Sequence, residues 1–167
     1  AKTKASGLVV GEGYLDIIAF ERAGIAAVAP CGTALTEEQL QLLWRAGGEP
    51  VLCFDGDAAG HRAADRALDL ALPHVGPGRT VRFAHAPAEE DPDDVYRRGG
   101  AEALAALVAA ATPASDAVFE REKRRHGLAT PEARAAFQAA LKDAVNKIAD
   151  ADTRRAYFGE LMSRANA

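Results

Sequence analysis

Cysteine, methionine and tryptophan are nearly missing from this 167-residue chain, which holds two, one and one of them. The two cysteines, Cys31 and Cys53, stand far apart, each in or just after an apolar run, and no CxxC occurs. Four scattered histidines add no ligand spacing. A disulfide framework or a zinc centre is therefore not expected, and both cysteines read as buried free thiols of a reducing cytosol. No apolar run approaches the roughly 18 residues of a membrane span, and no segment has the pattern of a signal peptide. Aromatics make up 6% of the chain, so its core cannot rest on large rings.

What is present is apolar and small. Hydrophobic residues make up 49%, and alanine is abundant, which favours helices packed closely on something flat. The length fits one domain, or one with a small appendage. The net charge of −4 hides an asymmetry: residues 1–114 hold 16 acids against 10 Lys and Arg, and residues 115–167 hold 8 against 10. An acidic front half argues against a simple nucleic-acid clamp, whose affinity comes from neutralising phosphates. If it meets phosphate, positive charge must come from elsewhere, and metal ions are the obvious source.

Short apolar runs at 7–10, 26–30, 51–54 and 80–84 are predicted strands. Between them lie helical patterns at 14–23, closed by Gly24, at 37–46, opened by a Thr36/Gln39 capping box and stopped by Gly47, and at 58–72, stopped by Pro73. The alternation implies a parallel sheet of about four strands with right-handed crossovers and helices on both faces. Residues 87–94 (PAEEDPDD) read as a loop. Beyond it the chain is predicted helical at 92–98, 102–111, 115–125, 131–148 and 153–165, with Ser115, Thr130 before Pro131, and Asp152 as caps. The division is expected near residue 100, with an α/β domain over 1–100 and a helical bundle over 101–167. Trp44 is expected in the core and the basic run 121–125 (REKRR) on a solvent-facing helix surface.

In such a sheet the functional crevice lies at the carboxyl ends of the strands. Asp55 and Asp57 directly follow Phe54, and Glu12 follows the first strand after one glycine. Asp16 falls in the first turn of the next helix, and the loop bearing Asp91 and Asp93 reaches the same edge. Six carboxylates are thus expected on one rim. Like charges that close cannot all stay ionised unaided. Hard divalent cations resolve the conflict: Mg²⁺ binds a few carboxylates and takes substrate phosphates in its remaining positions. Two such ions suit in-line phosphoryl displacement. The helix beginning near Asp57 offers a positive dipole end, and His61 and Arg62, one turn in, are within reach of phosphate or form a solvated face. Taken singly, DGD is also a common turn or helix cap.

The order and spacing of these acids resemble the Toprim domain, shared by primases, topoisomerases, some nucleases and RecR-type recombination mediators. Glu12 in VVGEGYLD matches the family's glutamate, and Asp55 and Asp57 match its DxD. The segments EGYLDIIAFERAGI, APCGTALTEEQLQLLWRA, VLCFDGDAAGHRAADRAL and EDPDD look like bacterial replicative DNA primase of the DnaG type. The resemblance implies RNA primer synthesis on single-stranded DNA from ribonucleoside triphosphates with Mg²⁺ or Mn²⁺. It implies Glu12 as general base or metal ligand, Asp16, Asp55, Asp57, Asp91 and Asp93 as the acidic metal cluster, and Gly32 and Thr33 at the nucleotide pocket. It further implies a bacterial, cytoplasmic, replisome-associated protein without membrane contact. Replicative helicase and single-strand binding protein would be partners through the full-length protein. Gly11 departs from the apolar residue or Cys usual before the glutamate, and looser packing is expected there. The family's zinc ribbon, basic subdomain and C-terminal helicase-binding domain are not recognised, so an excised core fragment, inactive or weakly active alone, is expected.

Two other readings stand beside this one. FDGD after an apolar strand also resembles the start of a haloacid-dehalogenase-type phosphatase. That family, however, places its acids on the first strand and has a later lysine. Alternatively, the chain is a non-catalytic docking module in which the acids only fix loop geometry.

Overall fold

The computed structural model describes residues 7–30, 34–46 and 48–167. Strands β1 (Val9–Val10), β2 (Ala27–Val28), β3 (Val51–Phe54), β4 (Arg82–His85) and β5 (Thr112–Pro113) form one sheet in the order β2-β1-β3-β4-β5. The first four are mutually parallel, and β5 pairs antiparallel with β4. Helices α1 (Tyr14–Arg22), α2 (Glu37–Arg45) and α3 (Ala58–Ala71) link the parallel strands. Then follow α4 (Pro92–Ala109), α5 (Ala114–His126), α6 (Pro131–Asn146) and α7 (Ala151–Ala165).

Side chains alternate across the pleat, so β1, β3 and β4 each feed two cores. Val9, Val51, Cys53 and Ala84 join Phe20 of α1 and Val95 and Leu104 of α4 on one face. Val10, Leu52, Phe54 and Phe83 join α2, α3 and the C-terminal helices on the other, where Phe119, Phe137, Leu141 and Leu161 continue the same core into the bundle. Trp44 is buried as expected, its Nε1–H donating to the Thr80 carbonyl at 2.9 Å. Cys53 is a buried free thiol pushed up to about 12 by burial and by the neighbouring acids. Cys31 and Gly47 lie outside the described residues.

Several elements differ from their sequence-based outlines. β4 begins two residues later than predicted and takes in His85. The fifth strand carries no apolar pattern; Arg82 Nη2 donates to the Ala111 carbonyl and draws it against β4. The two predicted helices at 92–98 and 102–111 are borne out as the two arms of α4, parted at Gly100, whose φ of 69° and ψ of −161° are non-helical. Pro73 does not end α3 abruptly, because a 3₁₀ turn over Leu72–His74 continues it. The helix-starting caps expected at Ser115 and Asp152 are Pro113 and Asp150. Ser115 lies inside α5 and its hydroxyl donates to Glu160, while Asp150 takes the Thr153 N–H at 2.9 Å. The basic run is not all solvent-facing. Arg121 is 2% exposed, held by Asp69 at 2.8 Å and by Glu122 at 2.7 Å; only Lys123, Arg124 and Arg125 are exposed.

Candidate metal centre

β3 and β4 end level, Phe54 paired to His85, whereas β1 ends at Val10 opposite Leu52, and Gly11 and Glu12 carry the chain on alongside β3. The chain leaves β1 towards β2 on one side and returns as β3 on the other. The strand order therefore reverses between β1 and β3, the place where open α/β sheets bind ligands. Glu12 and Asp55 meet across that point: the Asp55 N–H donates to Glu12 Oε2 at 2.8 Å. A sequence separation of 43 residues closes into one contact because both acids follow strands that are hydrogen-bonded neighbours.

Asp16 is 6% exposed and accepts from the Gly13 N–H at 3.2 Å. Burial, with repulsion from Asp91 and Glu12, raises its pKa to about 6. Asp55 is raised further, to about 7, by burial first and then by Glu12, Asp16, Asp91 and Asp57 in that order. Its Oδ1 is buried without a hydrogen-bond partner. An orphaned carboxylate oxygen among four other acids is a polar group left unsatisfied by protein alone. Asp57 caps α3 through the Gly60 N–H at 2.7 Å, and Asp91 caps α4 through the Asp94 N–H at 2.7 Å. Both acids therefore sit at positive helix ends.

Asp93 is drawn elsewhere. Its carboxylate pairs with Arg97 at 2.8 Å, one turn along α4, and it is not among the acids that perturb Asp16 or Asp55. His61 stacks on His85 with ring centroids 4.6 Å apart. His85 is lowered to about 4 by burial, then by His61 and Arg124, and its Nδ1 lacks a partner. Arg62 is exposed and makes no ion pair among the described residues. Gly32 and Thr33 lie outside the described residues. Gly11 is tight rather than loose, since a Cβ there would come within 3.1 Å of the Asp16 Cβ. Sequence reasoning missed His85 and the loop residues Glu89 and Glu90. His85 fell outside the predicted strand, and the two glutamates were indistinguishable from other loop acids.

Among the described residues, no three His, Cys, Asp or Glu side chains are gathered tightly enough to hold an ion as they stand. Glu12, Asp16, Asp57 and Asp91 instead each spend an oxygen on a backbone N–H. The donor set still fits a hard divalent cation: the ligands are oxygen only, mutually repelling, and one oxygen is buried and unpaired.

A family model described as Toprim-like matches residues 9–96, just over half of the chain, and one described as the DnaB-helicase binding domain of primase matches residues 118–166. The chain belongs to the Toprim-like family. Within it the resemblance is to DnaG-type DNA primase. The chain is 38% identical over 156 residues to the DNA primase of Rickettsia prowazekii, covering 93% of this chain and 26% of that protein. It is 40% identical over 152 residues to the Escherichia coli K12 enzyme, covering 90% and 26%. A structure of the DnaG primase catalytic domain bound to ssDNA superimposes with a TM-score of 0.83 at 36% identity, over 97% of this chain and 53% of that one. The chain thus spans about a quarter of the length of the primases it matches. The second match corrects one expectation, because the helicase-binding description falls on residues 118–166 of this chain.

Proposed function

We propose that this chain is the metal-binding part of the catalytic core of a DNA-dependent RNA primase. Such an enzyme joins ribonucleotides into primers on a single-stranded DNA template, releasing pyrophosphate. The observation that carries the reading is Asp55: buried, raised to about 7, one oxygen unpaired, and faced by Glu12 across the switch point of the sheet. Bound Mg²⁺ or Mn²⁺ would make the primer 3′-hydroxyl easier to deprotonate and offset charge on the phosphates. Asp55, Asp57, Asp16 and Asp91 would hold the cation. Glu12 keeps one oxygen on the Asp55 N–H, which fixes its carboxylate; the other is free to share the ion or take a proton. Asp93, tied to Arg97, takes the outermost role in the cluster. The N-terminal end of α3, with His61 and Arg62, and the loop bearing Gly32 and Thr33 are assigned to the triphosphate.

Template, ribonucleoside triphosphates, single-strand binding protein and the replicative helicase are partners of the longer protein, in the bacterial cytoplasm at the replisome. The helicase is supported on this chain by the match over 118–166. On this reading a Toprim unit spans 1–100 and a helical unit 101–167, with the kink of α4 at Gly100 between them and the β4–β5 pairing joining them.

The test is a chimera in which this chain replaces its counterpart in the Escherichia coli primase. Primer synthesis that is lost on Glu12→Gln supports the proposal, whereas a folded but inactive chimera contradicts it. The isolated chain is expected to bind Mn²⁺ and make no primers.

A further inference from the structure

The turn carrying Asp55 and Asp57 is held from the side by the segment after β4. The Gly56 N–H donates to the Glu90 carbonyl at 2.8 Å, and the Glu89 N–H donates to the Gly56 carbonyl at 3.1 Å. The Glu90 N–H returns to the Pro87 carbonyl at 2.9 Å, closing a tight turn over 87–90. The approach is so close that a Cβ on Gly56 would overlap the carbonyl oxygens of Pro87 and Ala86. Glu89 has a φ of 62°, the one positive value at a non-glycine position among the described residues. A non-glycine residue is strained there, and such strain persists only where surrounding structure enforces it. In that conformation the Glu89 N–H reaches Gly56. At the outer end Arg98 grips Glu90 through Nε at 3.3 Å and Nη2 at 3.0 Å, and the next residue, Asp91, caps α4.

We propose that Pro87–Glu90 is a clasp that sets the separation between the two halves of the carboxylate rim. Asp55 with Asp57 lies on one side and Asp91 on the other, and Glu89, Glu90 and Arg98 are the positioning residues. The inference rests on the metal reading of the rim given above. Acids from separate elements can share a cation only if their separation is fixed beforehand, yet without the cation they repel one another. The clasp opposes that repulsion with neutral backbone hydrogen bonds, which add no charge to the rim. Its one ion pair joins Glu90 to Arg98 of α4, so the loop is tied to the same helix that Asp91 caps.

The test is Mn²⁺ affinity of the purified chain, by electron paramagnetic resonance titration, with thermal melting of each variant. Glu89→Pro forces φ to about −65° and removes the N–H, whereas Glu89→Gly keeps positive φ without strain. Glu89→Pro is expected to weaken Mn²⁺ binding about tenfold, the loss typical of outer-shell disruption, and Glu89→Gly to stay within about twofold of wild type. Arg98→Ala, which leaves the backbone intact, is expected to weaken it about threefold, with Arg98→Lys recovering part of the loss. Wild-type affinity in Arg98→Ala and in any folded Glu89→Pro, while Asp57→Ala binds weakly, would overturn the clasp and leave the metal site standing. Absence of saturable binding in the wild type, unchanged by Asp57→Ala, would overturn the metal reading and the clasp with it.

Discussion

Asp55 destabilises the fold it belongs to. Its folded pKa of about 7 lies well above the ordinary 3.8, so the folded chain holds this proton more tightly than the unfolded chain. The resulting stabilisation is complete below about pH 4 and is lost as pH rises through about 7. Asp16, raised to about 6, acts in the same direction. Metal-free Asp55→Asn should therefore melt higher than wild type, by a margin that grows between about pH 5 and pH 8. Equal margins at the two pH values would contradict that burden. Gly60 illustrates a constraint of shape rather than charge, for a Cβ there would overlap the Asp55 carbonyl. Gly60→Ala is expected to cost about 2 kcal/mol in urea unfolding, as overpacking does. The residue types at the rim were legible from sequence. Which of the acids following Glu90 faces the rim was not, because Asp91, Asp93 and Asp94 differ only in where the α4 cap and Arg97 place them.

Helices carried strong local signals, and the elements found from sequence are those whose signals are local. The Thr36/Gln39 capping box is present with both bonds, so Thr36→Ala is expected to cost about 1 kcal/mol, read by chemical denaturation. An unchanged midpoint would mean that α2 is held by packing alone. The apolar runs that became β1 and β3 were visible because strands buried on both faces read as continuous hydrophobic stretches, whereas β2, with Val28 exposed, carried a weaker run. β5 was invisible because Thr112 and Pro113 are exposed and are placed by β4 and Arg82, not by their own pattern. The same holds at α7, where Asp150 and Asp152 both have capping chemistry and the Thr153 N–H selects Asp150. The two predicted helices at 92–98 and 102–111 meet at Gly100, whose positive φ makes the kink between them, so Gly100→Ala is expected to destabilise the chain by about 1 kcal/mol.

Across the whole molecule, one apolar core runs from the sheet into the C-terminal helices, and one charged network crosses it. Buried Arg121 of α5 bridges Asp69 of α3 and Glu122, and Lys147 lies 3.5 Å from Asp69. Removing Arg121 takes from the buried Glu122 its one buried cationic partner and leaves it only half-exposed Arg125 at 3.4 Å and His126 at 3.7 Å. Arg121→Ala is accordingly expected to cost about 3 kcal/mol, and Glu122→Gln on that background to restore part of it. No periodicity marked Arg121 as buried, since the surrounding REKRR reads as surface in any helix. The parallel sheet, its helix layers and the rim of acids were readable from strand order. How the bundle packs on α3 was not, because it depends on pairings across more than fifty residues. The proposed chemistry requires the acids that follow β1 and β3 and the Asp91 cap of α4 to share divalent cations. Crystals soaked in Mn²⁺ and examined by anomalous diffraction test this most directly. The expected result is a peak bonded to Asp55 and to at least one of Glu12, Asp16 and Asp91. A map at saturating Mn²⁺ with no peak on this rim, and Glu12 still bonded only to the Asp55 amide, would contradict it.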